Sequence, residues 1–187
     1  MRRWSRGTLF LLSALLGASS LPAQESGIAV GAMAPANVMV ESLDGTPMDL
    51  ASFYGRGKPV VLEFWATWCP LCRKLEPTMQ AARVKHAEHV TFVSVGVSAN
   101  QSPARQKAHV EANQMSGEFV FDRNDAAQKA FSVPHTSYVV VLDATGKVVY
   151  TGQGGTQDVE AAVQKGLGSM AGMTTPTTGR PSPAPTR

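Results

Sequence analysis

The sequence predicts an α/β fold with a central mixed β-sheet flanked by helices. Two near-continuous apolar runs, PVVLEFWA at 59–66 and VTFVSVGV at 90–97, have the composition of strands covered on both faces. Stretches of helical composition lie between and after them, the alternation that builds a parallel sheet. Toward the C-terminus, Asp143-Ala144-Thr145-Gly146 joins two further strand-like runs as a hairpin turn, which makes the sheet mixed.

An N-terminal β-hairpin is expected from 37–43 and 46–50, because Asp44-Gly45 between them suits a tight turn. Residues 51–54 read as a short helical turn, and 59–66 as the first buried strand. The stretch 70–86 has helical composition. Pro70 takes its first position, where a missing N–H costs nothing, and Pro77 inside it is expected to bend it. The second buried strand covers 90–97. Ser102 then caps a helix over 103–113. A short strand at 118–121 and a short helix at 125–131 follow. Strands at 137–142 and 147–150 form the closing hairpin, and 157–167 is the last helix.

The chain has 187 residues, 43% hydrophobic and 17% charged, which suits one globular domain with a real core and excludes a disordered chain. Two cysteines exclude a disulfide-dense miniprotein. No apolar stretch reaches the length of a membrane span, so no stable span is expected. The formal charge of +3 comes from the first six residues: without Arg2, Arg3 and Arg6, 14 basic residues face 14 acidic ones. A nucleic-acid partner therefore has no electrostatic support.

Those arginines, the apolar run TLFLLSALL at 8–16 and the small residues after it form a secretory signal peptide over 1–23. Ala23 is the expected residue before cleavage and Ser20 its rival, while retention as an anchor is the alternative to cleavage. Export implies a periplasm or an equivalent extracytoplasmic space. At the other end, 174–187 reads TTPTTGRPSPAPTR, with four prolines and no large apolar residue, and is expected to be a disordered tail. The folded domain then occupies 24–173.

The chemistry is concentrated in Trp65-Ala66-Thr67-Trp68-Cys69-Pro70-Leu71-Cys72, where a buried strand gives way to a helix. A C-x-x-C pair in that setting reads as a redox motif. Cys69 falls at the helix N-terminus, where free N–H groups and the dipole favour a thiolate. Cys72 follows almost one turn later, so the two sulfurs can meet. Cys69 is expected to be the exposed nucleophile and Cys72 the shielded resolving thiol. A plain structural disulfide is the alternative, but a bridge closing so short a loop is a weak staple. Glu63 stands out in the apolar strand VVLEFW, where burial would penalise its ionised form.

The segment WATWCPLCRKLEP, the strand leading into it, FSVP at 131–134 and the hairpin SYVVVLDATGKVVYTGQG together resemble the thioredoxin superfamily. The similarity is strongest to the exported TlpA/ResA type. It spans roughly 34–167, and 98–122 matches the strand-and-helix insertion of those relatives. The resemblance implies a thioredoxin-like fold and a thiol–disulfide oxidoreductase with no cofactor beyond the redox-active Cys69–Cys72 disulfide. It implies that Glu63 is the proton acceptor for Cys72 and that Pro134 is a cis-proline facing the pair. Trp68, Pro70, Leu71, Val133 and His135 are then the candidate substrate-binding residues. Relatives usually carry Thr after this proline, whereas here His135 intervenes, which leaves open a role in substrate or metal binding or none at all. The expected partners are client proteins with disulfides or thiols, apocytochrome c among them, and a membrane redox partner that recycles the pair.

Three other readings compete. A copper-handling protein would use Cys69, Cys72 and His135, since soft thiolates suit Cu(I). A peroxiredoxin-like peroxidase would need Pro at 62 and Thr at 66, where Leu62 and Ala66 stand. A zinc site from Cys69, Cys72, His86 and His89 has too short a His spacing. It also needs histidines roughly 20 Å or more from Cys69 along the helix, at 1.5 Å per residue.

Overall fold

A computed structural model describes residues 27–171. The signal peptide and the tail read from the sequence lie outside the described residues. Among the described residues are seven strands and four helices: β1 (Met39–Ser42), β2 (Pro47–Asp49), β3 (Val60–Trp65), α1 (Pro70–His86), β4 (Thr91–Val97), α2 (Pro103–Ala112), β5 (Glu118–Asp122), α3 (Ala126–Ala130), β6 (Tyr138–Leu142), β7 (Val148–Gln153) and α4 (Val159–Ala171). A 3-10 turn, Leu50–Phe53, follows β2. The strands form one sheet in the order β2-β1-β5-β4-β3-β6-β7. β3, β4 and β5 run parallel, and the remaining pairings are antiparallel. This is the thioredoxin-like architecture that the resemblance implies, with the N-terminal hairpin added on the β5 edge.

The buried strands behave as their composition dictates. β3 and β4 carry no exposed residue, and their side chains alternate between two layers. Val60, Leu62 and Phe64 join Val93, Val95, Val140, Leu142 and Phe131 in the layer under α3 and the 3-10 turn. Val61 joins Phe92, Val139 and Val141 in the layer under α1 and α4, with Leu75, Met79 and Ala82 from α1. Helix α1 runs on through Pro77 to His86. At that end the His86 ring nitrogen lies 3.1 Å from Glu160 of α4, which accounts for this half of the sequence's decoy zinc pair.

Helix α2 needs one close approach. Gln106 is fully buried over Gly96 of β4, and a Cβ at Gly96 would sit 1.8 Å from the Gln106 side-chain oxygen. Glycine is therefore what lets α2 seat on the sheet. Ser102 caps α2 as expected, its hydroxyl accepting the Arg105 N–H at 3.3 Å.

Helix α3 is capped from a distance. Asp125 precedes it with a φ of 56° and makes no side-chain cap. Instead Asp122, fully buried at the end of β5, accepts the Ala127 N–H at 3.1 Å and the Gln128 N–H at 2.8 Å. Replacing it leaves the buried Ala127 N–H and the half-buried Gln128 N–H without this acceptor. We expect Asp122→Ala to cost about 2–3 kcal/mol of stability, read as a lower midpoint in denaturant titration with an unchanged slope. A loss below about 0.5 kcal/mol would show that α3 does not depend on this carboxylate.

Candidate active site

Strand alternation decides what lies beneath the motif. Glu63 and Trp65 share the β3 face that turns toward α1, one step on from Val61. After Trp65 the chain turns, with the Cys69 N–H donating to Ala66 O at 3.1 Å, and α1 begins at Pro70. The loop after β4 holds this turn in place. Gln101 accepts the Thr67 N–H at 3.0 Å and donates its amide to Val97 O at 2.6 Å, while the Trp68 indole donates to Ala99 O at 2.7 Å.

Cys69 is the N-cap of α1, and its sulfur accepts the Cys72 N–H at 3.2 Å. Both cysteines are free thiols. The expectation of an exposed Cys69 is corrected: it is 3% exposed, the same as Cys72. The first turn of α1 packs both side chains into a cluster with Trp65, Ala66 and Val97, while Trp68 and Leu71 point outward at 37% and 44%. Burial pushes the Cys72 thiol well above its usual range, helped by its hydrogen bond with the Cys69 sulfur and by the nearby charges of Cys69 and Glu63.

Glu63 is buried, as its place in an apolar strand implied. Arg83 of α1, equally buried, donates to Glu63 Oε2 at 3.0 Å and to the Ser94 hydroxyl at 2.8 Å, and Ser94 stands opposite Glu63 on β4. The same guanidinium reaches Glu76 Oε1 at 2.6 Å. Burial pushes the Glu63 carboxyl up to about 7, against the pull of Arg83 and with the added push of Glu76. Glu76 is raised as well, first by burial and again against Arg83. Arg83, Glu76 and Ser94 are functional candidates that the sequence reading missed. One signal was available: Cys72, Leu75, Met79, Ala82, Arg83 and His86 form the buried stripe of α1 at helical spacing, so Arg83 falls on an inward face. A cavity of about 380 Å³ opens beside the site, with Cys72, Glu76 and Trp65 facing His109 and Met115 across it.

The loop before β6 enters the sheet next to the motif, because Tyr138 pairs with Phe64 one residue before β3 ends. Pro134 and His135 are exposed there and Val133 is half-buried. The cis-proline assignment is corrected: the Val133–Pro134 bond is trans, and the cis peptide bond among the described residues is Thr136–Ser137. Thr136 and Ser137 lead directly into β6, which begins at Tyr138, whereas Pro134 lies on the exposed part of the loop. His135 turns its ring nitrogen to Thr136 O at 3.1 Å. Among the described residues no group of three His, Cys, Asp or Glu is gathered, so His135 does not join Cys69 and Cys72 in such a set. A further segment that sequence reading did not place is the loop after β7. It lies against α1 so closely that a Cβ at Gly155 would sit 2.8 Å from Leu71 O.

The difference between the thiols has a direct readout. In the reduced protein at neutral pH, Cys69 is expected to take up iodoacetamide roughly tenfold faster than Cys72, because its sulfur caps the N-terminus of α1 while burial, the Cys69 sulfur and the Glu63 charge together hold the Cys72 thiol protonated. Timed alkylation with peptide mapping checks this, and faster labelling of Cys72 would reverse the assignment.

The chain is 28% identical over 157 residues to the thioredoxin-like protein YneN of Bacillus subtilis, covering 79% of this chain and 88% of that protein. It is 29% identical over 146 residues to the thiol–disulfide oxidoreductase ResA of Bacillus subtilis, covering 76% and 79%. Among solved structures, a thiol:disulfide interchange protein of the thioredoxin family from Chlorobium tepidum superposes with a TM-score of 0.60 at 26% identity, covering 74% of this chain and 98% of that one. The family model described as Redoxin matches residues 29–165, a span that runs from before β1 into α4 and includes the cysteine pair. This chain belongs to the Redoxin family and is a thiol–disulfide oxidoreductase.

Proposed function

We propose that the protein is exported and exchanges disulfides with client proteins, with Cys69 as nucleophile, Cys72 as resolving thiol and Glu63 as proton acceptor. The observation that carries this reading is the Cys69 sulfur at the head of α1, accepting the Cys72 N–H, with the charge of the buried Glu63 on β3 reaching Cys72. The Cys69 thiolate attacks a client disulfide, forming one mixed S–S bond and releasing the other client sulfur as a thiolate. Cys72 passes its proton to Glu63 and attacks Cys69 Sγ. The second client thiolate leaves, and the Cys69–Cys72 disulfide holds the oxidation. Two electrons have moved from protein to client, and the reverse sequence oxidises a client dithiol. Trp68, Pro70 and Leu71 offer an exposed rim for the client, and the loop from Val133 to His135 offers the other side. Apocytochrome haem-binding cysteines are one client class and other exported thiol proteins another, with a membrane-held redox partner resetting the pair.

Two experiments test this. Cys72→Ser is expected to accumulate a mixed disulfide on Cys69 with a disulfide-bearing protein such as insulin, visible on a non-reducing gel and absent from the wild type. A variant that accumulates no adduct, although folded, would remove Cys69 from the nucleophile's role. For export, the arginine-rich and apolar order of the first 23 residues supports cleavage. Intact-mass analysis of the protein recovered outside the cytoplasm is expected to show a start near Gln24, and a retained Met1 would overturn it.

A further inference from the structure

The cluster under the motif holds two carboxylates and one guanidinium. Arg83 is 3% exposed and spends one terminal nitrogen on Glu76 at 2.6 Å and the other on Glu63 at 3.0 Å. Glu63 is committed at Oε2, which also meets the Ser94 hydroxyl at 3.5 Å, while its Oε1 is buried with no hydrogen-bond partner. A buried carboxylate oxygen with an idle lone pair is costly unless it takes a proton. Glu76 differs in its surroundings: its side chain is 24% exposed and lines the cavity that also reaches Cys72. One end of the cluster is thus sealed beneath the thiols and the other opens to the cavity.

We propose that Arg83 and Glu76 are positioning residues that set when Glu63 takes the Cys72 proton, the guanidinium being divided between the two carboxylates so that Glu63 holds only part of it. This rests on Glu63 being the proton acceptor. The accepting atom is Glu63 Oε1, since Oε2 is occupied by Arg83 and Ser94. In the resolving step the S–H bond of Cys72 breaks, its proton goes to Oε1, the sulfur pair forms the bond to Cys69 Sγ, and the client thiolate leaves with the electrons of the mixed disulfide.

The electrostatics of the pocket give each substitution a sign. Around Glu63 lie Cys72, Glu76 and Arg83 from α1 and Ser94 from β4, while Val139 pairs with it from β6 and the Phe119 ring of β5 lies 5.7 Å from the guanidinium. Arg73 of α1 and His109 of α2 face Glu76 around the cavity. Arg83 favours the ionised form of Glu63 and Glu76 opposes it, both against a background of burial. Removing the Glu76 charge returns the whole guanidinium to Glu63, which then ionises at lower pH. Removing Arg83 does the opposite. A lysine supplies one point charge and cannot span two carboxylates, so it restores the effect only in part.

The experiment uses the reduced full chain and Ellman's reagent, an aromatic disulfide. Attack by Cys69 releases one coloured thiolate, and resolution by Cys72 releases the second, so the two steps are read separately by stopped flow. The resolution rate is followed from about pH 5 to about pH 9, where an essential base shows as an acid limb. Glu76→Gln is expected to move that limb to lower pH by roughly one unit, about tenfold in rate at a fixed pH on the limb. Arg83→Met is expected to move it up by a similar amount, with Arg83→Lys between Met and wild type. The first-release phase should keep its pH profile in each. Glu63→Gln separates the two claims. If it leaves the limb unchanged, Glu63 is not the acceptor and the underlying reading fails. If it abolishes the limb while Glu76→Gln and Arg83→Lys leave the wild-type limb in place, the acceptor stands and the positioning roles fall. Should Arg83→Met not fold, the partly exposed Glu76 and the Arg83→Lys variant decide the matter.

Discussion

Glu63 is 2% exposed, and an ionised carboxylate sealed in a protein costs several kcal/mol unless a cation, a donor or a proton meets it. Arg83 meets one of its oxygens and shares itself with Glu76. That single buried guanidinium connects the central strand to α1 just below the cysteines. It fixes the face that α1 turns to the sheet, since Arg83 lies on the same stripe as Cys72, Leu75, Met79 and Ala82. The charged cluster and the apolar packing therefore select the same helix orientation, and that orientation turns Cys72 to the face of α1 that carries Arg83, the partner of Glu63.

The sheet supplies the rest of the precision. β3 is bonded on one side to β4, in parallel, and on the other to β6, antiparallel. Its C-terminal end is consequently flanked by the loop after β4 and the loop before β6. The first of these holds the turn through Gln101 and Ala99. The second presents Val133, Pro134 and His135 beside it. A redox pair on so short a turn needs such support, because small displacements of a reacting sulfur cost large factors in rate. Scaffold strands place the motif, and loops supply the surface a client would touch.

The two thiols are distinguished by environment rather than by access. They are equally buried, yet one stands at a helix N-cap with a backbone N–H on its sulfur, and the other feels the charge of the buried Glu63. The same layer that shields Cys72 also raises Glu63 to about 7, so donor and acceptor of the proposed proton transfer are tuned by one cause. Desolvation penalises both charged forms together, which leaves the specific charges of Arg83 and Glu76 to decide the balance between them.

Much of the architecture could be read from local pattern. The apolar runs at 59–66 and 90–97 became β3 and β4, the stretch 70–86 became α1 with the predicted bounds, and Ser102 capped α2. Each of these depends on neighbours within a turn or on two-residue alternation, which sequence carries directly. The C-x-x-C pair and the burial of Glu63 were legible for the same reason. Tertiary structure alone decided the rest. Arg83 lies 20 positions from Glu63, and only the packing of α1 on β3 and β4 brings the two within 3.0 Å. The same packing gives Glu76 the other half of that guanidinium. Cys69 looked exposed because a helix N-terminus usually is, and the cluster around Trp65 covered it. Pro134 lies on the exposed loop, and the strand register joins that loop to the sheet only at Tyr138, four residues on. Local sequence determines which elements form and where a reactive pair starts a helix. Charge pairing, burial and register across the sheet belong to contacts between residues far apart in the chain, and only the folded packing determines those.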